Sequence, residues 1–135
     1  MDLQLIVVDD DDVACFLLNK FLIHAGFSEP KIYLKAKDAL DYLNNEQNTE
    51  VTYAIFLDIN MPLMSGWQFL DELEAKHIKS KYFIFLITSS INPKDKDKSL
   101  TYNHVMDLLV KPINSSALKA LKKNEYLASF FNKIE

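Results

Sequence analysis

Cysteine is nearly absent. Cys15 is the only one in 135 residues, so no internal disulfide can form and a reducing cytoplasm is the expected setting. Long apolar runs are missing too. The stretches around Phe16 to Phe27 and Tyr82 to Ile87 are broken by Asn19, Lys20 and His24 or fall short of the roughly 20 residues a bilayer crossing needs, so no membrane span is expected. Met1 leads straight into Asp2 and a strand-like segment, with neither a basic n-region nor a small-residue cleavage site, so no secretory signal is visible. A basic excess is also lacking. Fifteen Lys and Arg stand against nineteen Asp and Glu, for a net charge of -4. A pI near 5.3 offers a polyanion no counterion-releasing surface, which argues against direct nucleic-acid binding. Internal repeats and low-complexity segments are absent.

What is present is ordinary globular composition, 49% hydrophobic and 25% charged, at a length that fits one domain with one core. The acidic excess equals one local cluster, the uninterrupted run Asp9, Asp10, Asp11 and Asp12.

Short apolar runs alternate with helical periodicity. Gln4 to Val8 predicts a strand buried on both faces that stops at the aspartates. A helix follows, with Ala14, Leu17, Leu18, Phe21, Leu22 and Ala25 inward, Asp11 or Asp12 as its cap, and Gly26 where a C-terminal cap belongs. Lys31 to Leu34 is a weak strand, and Ala36 to Leu43 a helix with Ala39, Leu40 and Leu43 inward. Asn44 to Glu50 forms a polar connection. Tyr53 to Leu57 is a second apolar strand run ending on Asp58. A loop with Asn60, Met61, Pro62 and Gly66 then precedes a helix carrying Phe69, Leu70 and Leu73. Tyr82 to Ile87 predicts a strand ending at Thr88, Ser89 and Ser90. Asn92 to Asn103 is polar and only weakly helical, and Met106 to Val110 is the last strand, closed by Lys111 and Pro112. Ser115 or Ser116 is expected to cap a final helix. Its apolar stripe breaks at Lys122 to Glu125 and resumes at Leu127, Phe130, Phe131 and Ile134, which predicts a kink or break.

Strands alternating with helices predict an α/β fold with a parallel sheet covered on both faces. Right-handed crossovers bring all strand C-terminal ends to one edge. Asp9 and Asp10, Asp58, Thr88 and Lys111 each stand at such an end. With strand order 2-1-3-4-5, the ligand-binding crevice lies between strands one and three, so the two aspartate sites should face each other.

Leu5-Ile6-Val7-Val8-Asp9-Asp10, Leu57-Asp58-Ile59-Asn60-Met61-Pro62 with Gly66, Thr88-Ser89-Ser90 and Lys111-Pro112 occur in this order, each at an expected strand end. Together they resemble the receiver domain of two-component response regulators, and the resemblance covers essentially the whole chain. It implies a flavodoxin-like, doubly wound, five-stranded sheet in the CheY-like manner. It also implies that Asp58 accepts a phosphoryl group from a sensor histidine kinase or a histidine phosphotransfer protein. By the same resemblance, Asp10, Asp58 and the backbone carbonyl of Asn60 bind Mg2+ directly and Asp9 acts largely through water. Lys111 and Thr88 would be aimed at the phosphoryl oxygens, and small Ser89 would leave the phosphoryl site accessible. Residues 1–135 would form one receiver domain with no output domain, acting by docking on a partner or relaying phosphate.

Elementary electrostatics supports a cation. Three carboxylates within a few ångströms repel by roughly 4 kcal/mol per pair at an effective dielectric of about 20. An all-oxygen site that keeps waters and phosphoryl ligands suits magnesium. Taken singly, an Asp or Thr after a strand is more often a helix cap or turn former. That bland reading must hold at four strand ends at once, and it prevails only for Asp11 and Asp12, which suit the helix start.

Elsewhere the chemistry is sparse. His24, His77 and His104 are scattered, Cys15 reads as a packed thiol, and Trp67 is either a partly exposed reporter near the site or a core residue. Lys94, Lys96 and Lys98 alternate with Asp95 and Asp97 as a solvated face. One position departs from the family pattern. Leu108 stands three residues before Lys111, where many receivers carry an aromatic switch residue, and Tyr102 is too distant along the chain to be assigned that role. Two other functions compete. One is a phosphorylation-independent interaction module. The other is an aspartyl-phosphate phosphatase, disfavoured because Asn60 stands where such enzymes carry a second aspartate.

Overall fold

The computed structural model describes residues 2–46, 48–90, 92–124 and 127–131. Five strands, β1 (Asp2–Val8), β2 (Lys31–Tyr33), β3 (Val51–Asp58), β4 (Lys81–Thr88) and β5 (Val105–Val110), alternate with helices. The helices are α1 (Asp12–His24), α2 (Ala36–Asn45), α3 (Gly66–Lys76), α4 (Pro93–Ser99), α5 (Ser115–Leu121) and α6 (Ala128–Phe131). All pairings are parallel, in the order β2-β1-β3-β4-β5. The fold is the α/β class with a parallel sheet that the strand–helix alternation predicts, and its strand order is the doubly wound, flavodoxin-like one that the resemblance implies.

The central strands are apolar because both faces are covered. Ile6, Val8, Ile55, Leu57, Ile84 and Leu86 pack on one side with Leu40 and Leu43 of α2 and Phe69 and Leu73 of α3. Leu5, Val7, Phe56 and Phe85 pack on the other with Leu18 and Leu22 of α1 and Leu118 of α5. Phe56 and Phe85 stack at 5.3 Å. Each fully buried side chain of this size stabilises the fold by about 1.5–3 kcal/mol relative to exposure, so the two cores hold the sheet edge rigid beneath the loops.

Several local expectations change. Asp11, not Asp12, caps α1, its carboxylate accepting from the backbone N–H of Val13 and Ala14 at 3.0 and 3.3 Å. Leu17 is 47% exposed rather than inward, and Cys15 fills the buried position instead. The strand β2 ends at Tyr33, so Leu34 lies outside it. Asn114, not Ser115 or Ser116, caps α5: its side chain accepts from Ala117 N–H at 2.9 Å, and both serines already lie inside the helix. The polar stretch after β4 does form a helix, α4, because Asn92 accepts from Lys94 N–H at 3.0 Å and Pro93 sits in the first turn. The break after Leu121 is present, with α6 resuming at Ala128; Ile134 lies outside the described residues.

Both glycines stand at close approaches. Gly26, at φ 97, follows α1 as anticipated and donates to Ile23 O at 3.0 Å. Gly66 opens α3 against the end of β3, where a Cβ would meet Asp58 O and Ile59 Cα at 2.8 Å. Both neighbours are backbone and cannot turn aside. Gly66→Ala is therefore expected to destabilise the protein by about 1–3 kcal/mol, read as a lower denaturant midpoint with an unchanged slope. Wild-type stability in that variant would disprove the close approach.

Candidate functional site

The β1–β3 register pairs Val7 with Phe56 and Val8 with Leu57. The next residues, Asp9 and Asp58, therefore emerge side by side, as the sequence anticipated. Asp9 is 2% and Asp58 4% exposed, whereas Asp10 is exposed. One carboxylate oxygen from each of Asp9, Asp10 and Asp58 lies within 4.8 Å of the others. Among the described residues this is the one acidic, histidine or cysteine group so arranged.

Lys111 reaches the same point from the end of β5. Its Nζ donates to Asp9 Oδ2 at 2.9 Å and stands 3.8 Å from Asp58 Oδ2. Burial draws the Lys111 ammonium down, but the hydrogen bond to Asp9 and the charges of Asp58 and Asp9 outweigh it, and its pKa lies above the usual 10.5. Lys111 stays charged and partly neutralises the two buried carboxylates. Asp9 is also held by its other oxygen, which accepts from Asp11 N–H at 3.0 Å.

Asp58 lies in a more delicate balance. Burial pushes its pKa up from 3.8 to about 6. The Asn60 N–H, donating to Oδ1 at 3.0 Å, and the Lys111 charge oppose that rise, and the Asp9 charge adds to it. Thr88, fully buried at the end of β4, donates its hydroxyl to Ser90 O at 3.1 Å and accepts from Ser90 N–H at 3.2 Å. Asn60 Nδ2 stands 3.5 Å from the same hydroxyl. Ser89 is exposed beside the pocket.

The site residues expected from the sequence thus converge, with Lys111 on Asp9 and Thr88 on its own loop. Cys15 was read only as a packed thiol, yet its Sγ–H donates to Asp9 O at 3.3 Å, and burial followed by the nearby aspartates pushes it up to about 12. It is no nucleophile. A cavity of about 350 Å³ between α1 and the β5–α5 loop, lined by Leu17, Phe21 and Ile113 with Ser89 and Lys111 at its edge, escaped the sequence reading because it depends on Leu17 facing outward.

An oxygen-only set of three carboxylates, two buried and one open to solvent, has the chemistry of a hard divalent cation that retains water. The doubly wound fold with its acidic crevice between β1 and β3 defines the class. The chain belongs to the response regulator receiver domain family, whose model matches residues 5–123. It is 30% identical over 123 residues to hybrid signal transduction histidine kinase L of Dictyostelium discoideum, covering 89% of this chain and 7% of that protein. It is 28% identical over 126 residues to a probable transcriptional regulator of Pyropia yezoensis, covering 92% of this chain and 53% of that one. The chain therefore spans a small part of the first relative and about half of the second. Among solved structures, the response regulator receiver protein of Dyadobacter fermentans matches with a TM-score of 0.78 and 25% identity, over 92% of this chain and 98% of that one. Phosphorylation on aspartate is the general function of the family, whose members are signalling modules rather than classical enzymes and generally bind Mg2+ at an acidic pocket. Among the described residues, no helix is long and apolar enough to cross a membrane.

The Asp58 balance predicts a pH dependence. Its folded pKa, about 6, lies above the ordinary 3.8, so the folded state holds this proton more tightly than the unfolded chain does. Its contribution to stability is fully present below about pH 4 and is lost as pH rises to about 6. Without metal at pH 7, Asp58→Asn should be the more stable protein by on the order of 2–3 kcal/mol, and the advantage should vanish near pH 4. Added magnesium should stabilise wild type more than Asp58→Asn. Equal denaturation midpoints for the two proteins across that pH range would contradict the balance.

Proposed function

We propose that Asp58 is the phosphoacceptor of this receiver domain and that the donor is a phosphohistidine on a sensor histidine kinase or a histidine phosphotransfer protein. The observation that carries the reading is the meeting of Asp9, Asp10 and Asp58 within 4.8 Å, with Lys111 at 2.9 Å from Asp9 and 3.8 Å from Asp58. An Asp58 carboxylate oxygen attacks phosphorus, the donor's N–P bond breaks, and the electron pair leaves with the imidazole, which takes up a proton.

Asp10, Asp58 and the Asn60 carbonyl would hold Mg2+, with Asp9 acting through water. When bound, the ion offsets carboxylate charge and accepts phosphoryl oxygens. Lys111, hydrogen-bonded to Asp9 beside Asp58, would supply a second positive charge to the phosphoryl group, and the Thr88 hydroxyl would supply a donor. Asn60 has no titrating group and donates its backbone N–H to Asp58, so it cannot act as the general base that hydrolytic turnover requires. This favours a persisting signal over a phosphatase. A constitutive interaction module would need none of the converging charges.

The domain itself is proposed to comprise residues 1–135 and to act in the cytoplasm. Val13, Phe16 and Leu17 stand exposed on α1, and Leu17 lines the cavity that also reaches Asp9 and Lys111, which suits this helix to a protein donor.

Acetyl phosphate with magnesium should add one phosphoryl mass to wild type and none to Asp58→Asn. Absence of uptake from both acetyl phosphate and a cognate kinase would overturn the assignment. Asp10→Asn should lose most of its magnesium dependence, and an unaltered magnesium titration of the phosphorylation rate would remove Asp10 from the ligand set. Phe16→Ala with Leu17→Ala should slow transfer from a phosphohistidine protein at least about tenfold, equivalent to about 1.4 kcal/mol, while leaving acetyl phosphate uptake unchanged. Equal slowing with both donors would assign these residues to the pocket instead of to donor docking.

A further inference from the structure

Two apolar side chains stand in solvent at turns where a polar residue would serve the chain as well. Leu63, in the loop between β3 and α3, is 92% exposed, and Leu34, between β2 and α2, is 47% exposed. One such residue is ordinary on a surface, but these two converge on one cavity. It measures about 360 Å³, lies between the two turns, and is lined also by Met61 and Met64. That volume falls within the roughly 300–1,000 Å³ of small-molecule sites.

The rim is charged. Lys35 and Lys37 line the same cavity and are exposed, and among the described residues neither has a carboxylate within ion-pairing distance. Lys111 differs, because in the cavity beside α1 its ammonium is already engaged by Asp9 at 2.9 Å. Asp10 is the one acidic residue that lines the cavity at Lys35 and Lys37. Two ammonium groups therefore stand against one carboxylate in a wall that is otherwise apolar.

Charge and lining together describe a guest with an apolar body and one negative group. The two methionines narrow the body further. Their flexible thioethers adapt to irregular shapes and make favourable contacts with ring edges, and a flat ring loses little conformational freedom on binding.

We infer that the cavity between the β2–α2 and β3–α3 turns binds a small aromatic carboxylate, its rings against Leu34, Met61, Leu63 and Met64 and its carboxylate paired with Lys35 and Lys37. The site shares only Asp10 with the Asp58 chemistry. Magnesium on Asp10 offsets the one opposing charge, so the two ligands favour each other's binding; that link alone rests on the proposed magnesium site.

The probe is 2-naphthoate, titrated into the full chain by calorimetry and followed through the methionine methyl NMR signals. The Met61 and Met64 methyls should shift under the ring current, whereas Met106, packed in the opposite core, should not. Lys35→Met with Lys37→Met should weaken binding at least about tenfold, and 2-naphthamide, of the same shape but uncharged, should bind wild type as weakly. Leu63→Glu should weaken it as much, and a change at so exposed a side chain spares the fold. Absence of binding at millimolar naphthoate, shifts at Met106 without shifts at Met61 and Met64, or equal affinity for the amide would each overturn the site. Magnesium should tighten naphthoate binding by about twofold or more, and Asp10→Asn should tighten it without magnesium. If magnesium leaves the affinity unchanged while Asp10→Asn tightens it, the magnesium reading fails and the site stands. If neither alters it, the placement beside Asp10 is wrong.

Discussion

The in-register pairing of β1 with β3 is the constraint on which the site depends. Val8 lies opposite Leu57, and because the strands are parallel their next residues, Asp9 and Asp58, leave the sheet at the same edge. A one-residue slip would turn Asp58 to the opposite face and scatter the carboxylates. The slip is prevented by the apolar surface on both faces, since Ile6, Val7, Val8, Ile55, Phe56 and Leu57 are all fully buried. Hydrophobic burial therefore holds together charges that would otherwise separate. Lys111, 102 residues from Asp9 in sequence, offsets part of the electrostatic cost.

That arrangement places a charge-sensitive site beside a weakly held element. The three central strands and their covering helices are anchored by large apolar side chains, so the carboxylates cannot relax by moving apart. The nearby α4 has no apolar side chain of this kind beyond its proline, and the Trp67–Tyr102 stack stands at its C-terminal end. Elements that move are drawn from the low-stability end of a fold, and here that end adjoins the site.

The legibility of this chain follows the range of the forces involved. Buried parallel strands need continuous apolar residues, so β1, β3 and β4 were readable to within a few residues, and helical spacing revealed the inward faces of α2 and α3. Local capping was less legible. Asn114, Ser115 and Ser116 are all competent caps, and only the path of the chain after Lys111 selects the asparagine. Leu17 was read as core because its spacing suits the inward stripe. The rotation of α1 on the sheet gave that burial to Cys15 and left Leu17 at the cavity mouth.

The sequence by itself determined that strands alternate with helices and that aspartate, threonine and lysine stand at successive strand ends, because periodicity and chain direction are local properties. The family motifs supplied the chemical role expected of each. Only the tertiary structure decided how the charges are shared. Lys111 bonds Asp9 and burial lifts Asp58, because each depends on distances between residues tens of positions apart. The meeting of Trp67 with Tyr102 belongs to the same kind. Thirty-five positions separate them with no shared periodicity, and only packing of α3 against the α4–β5 turn makes them neighbours.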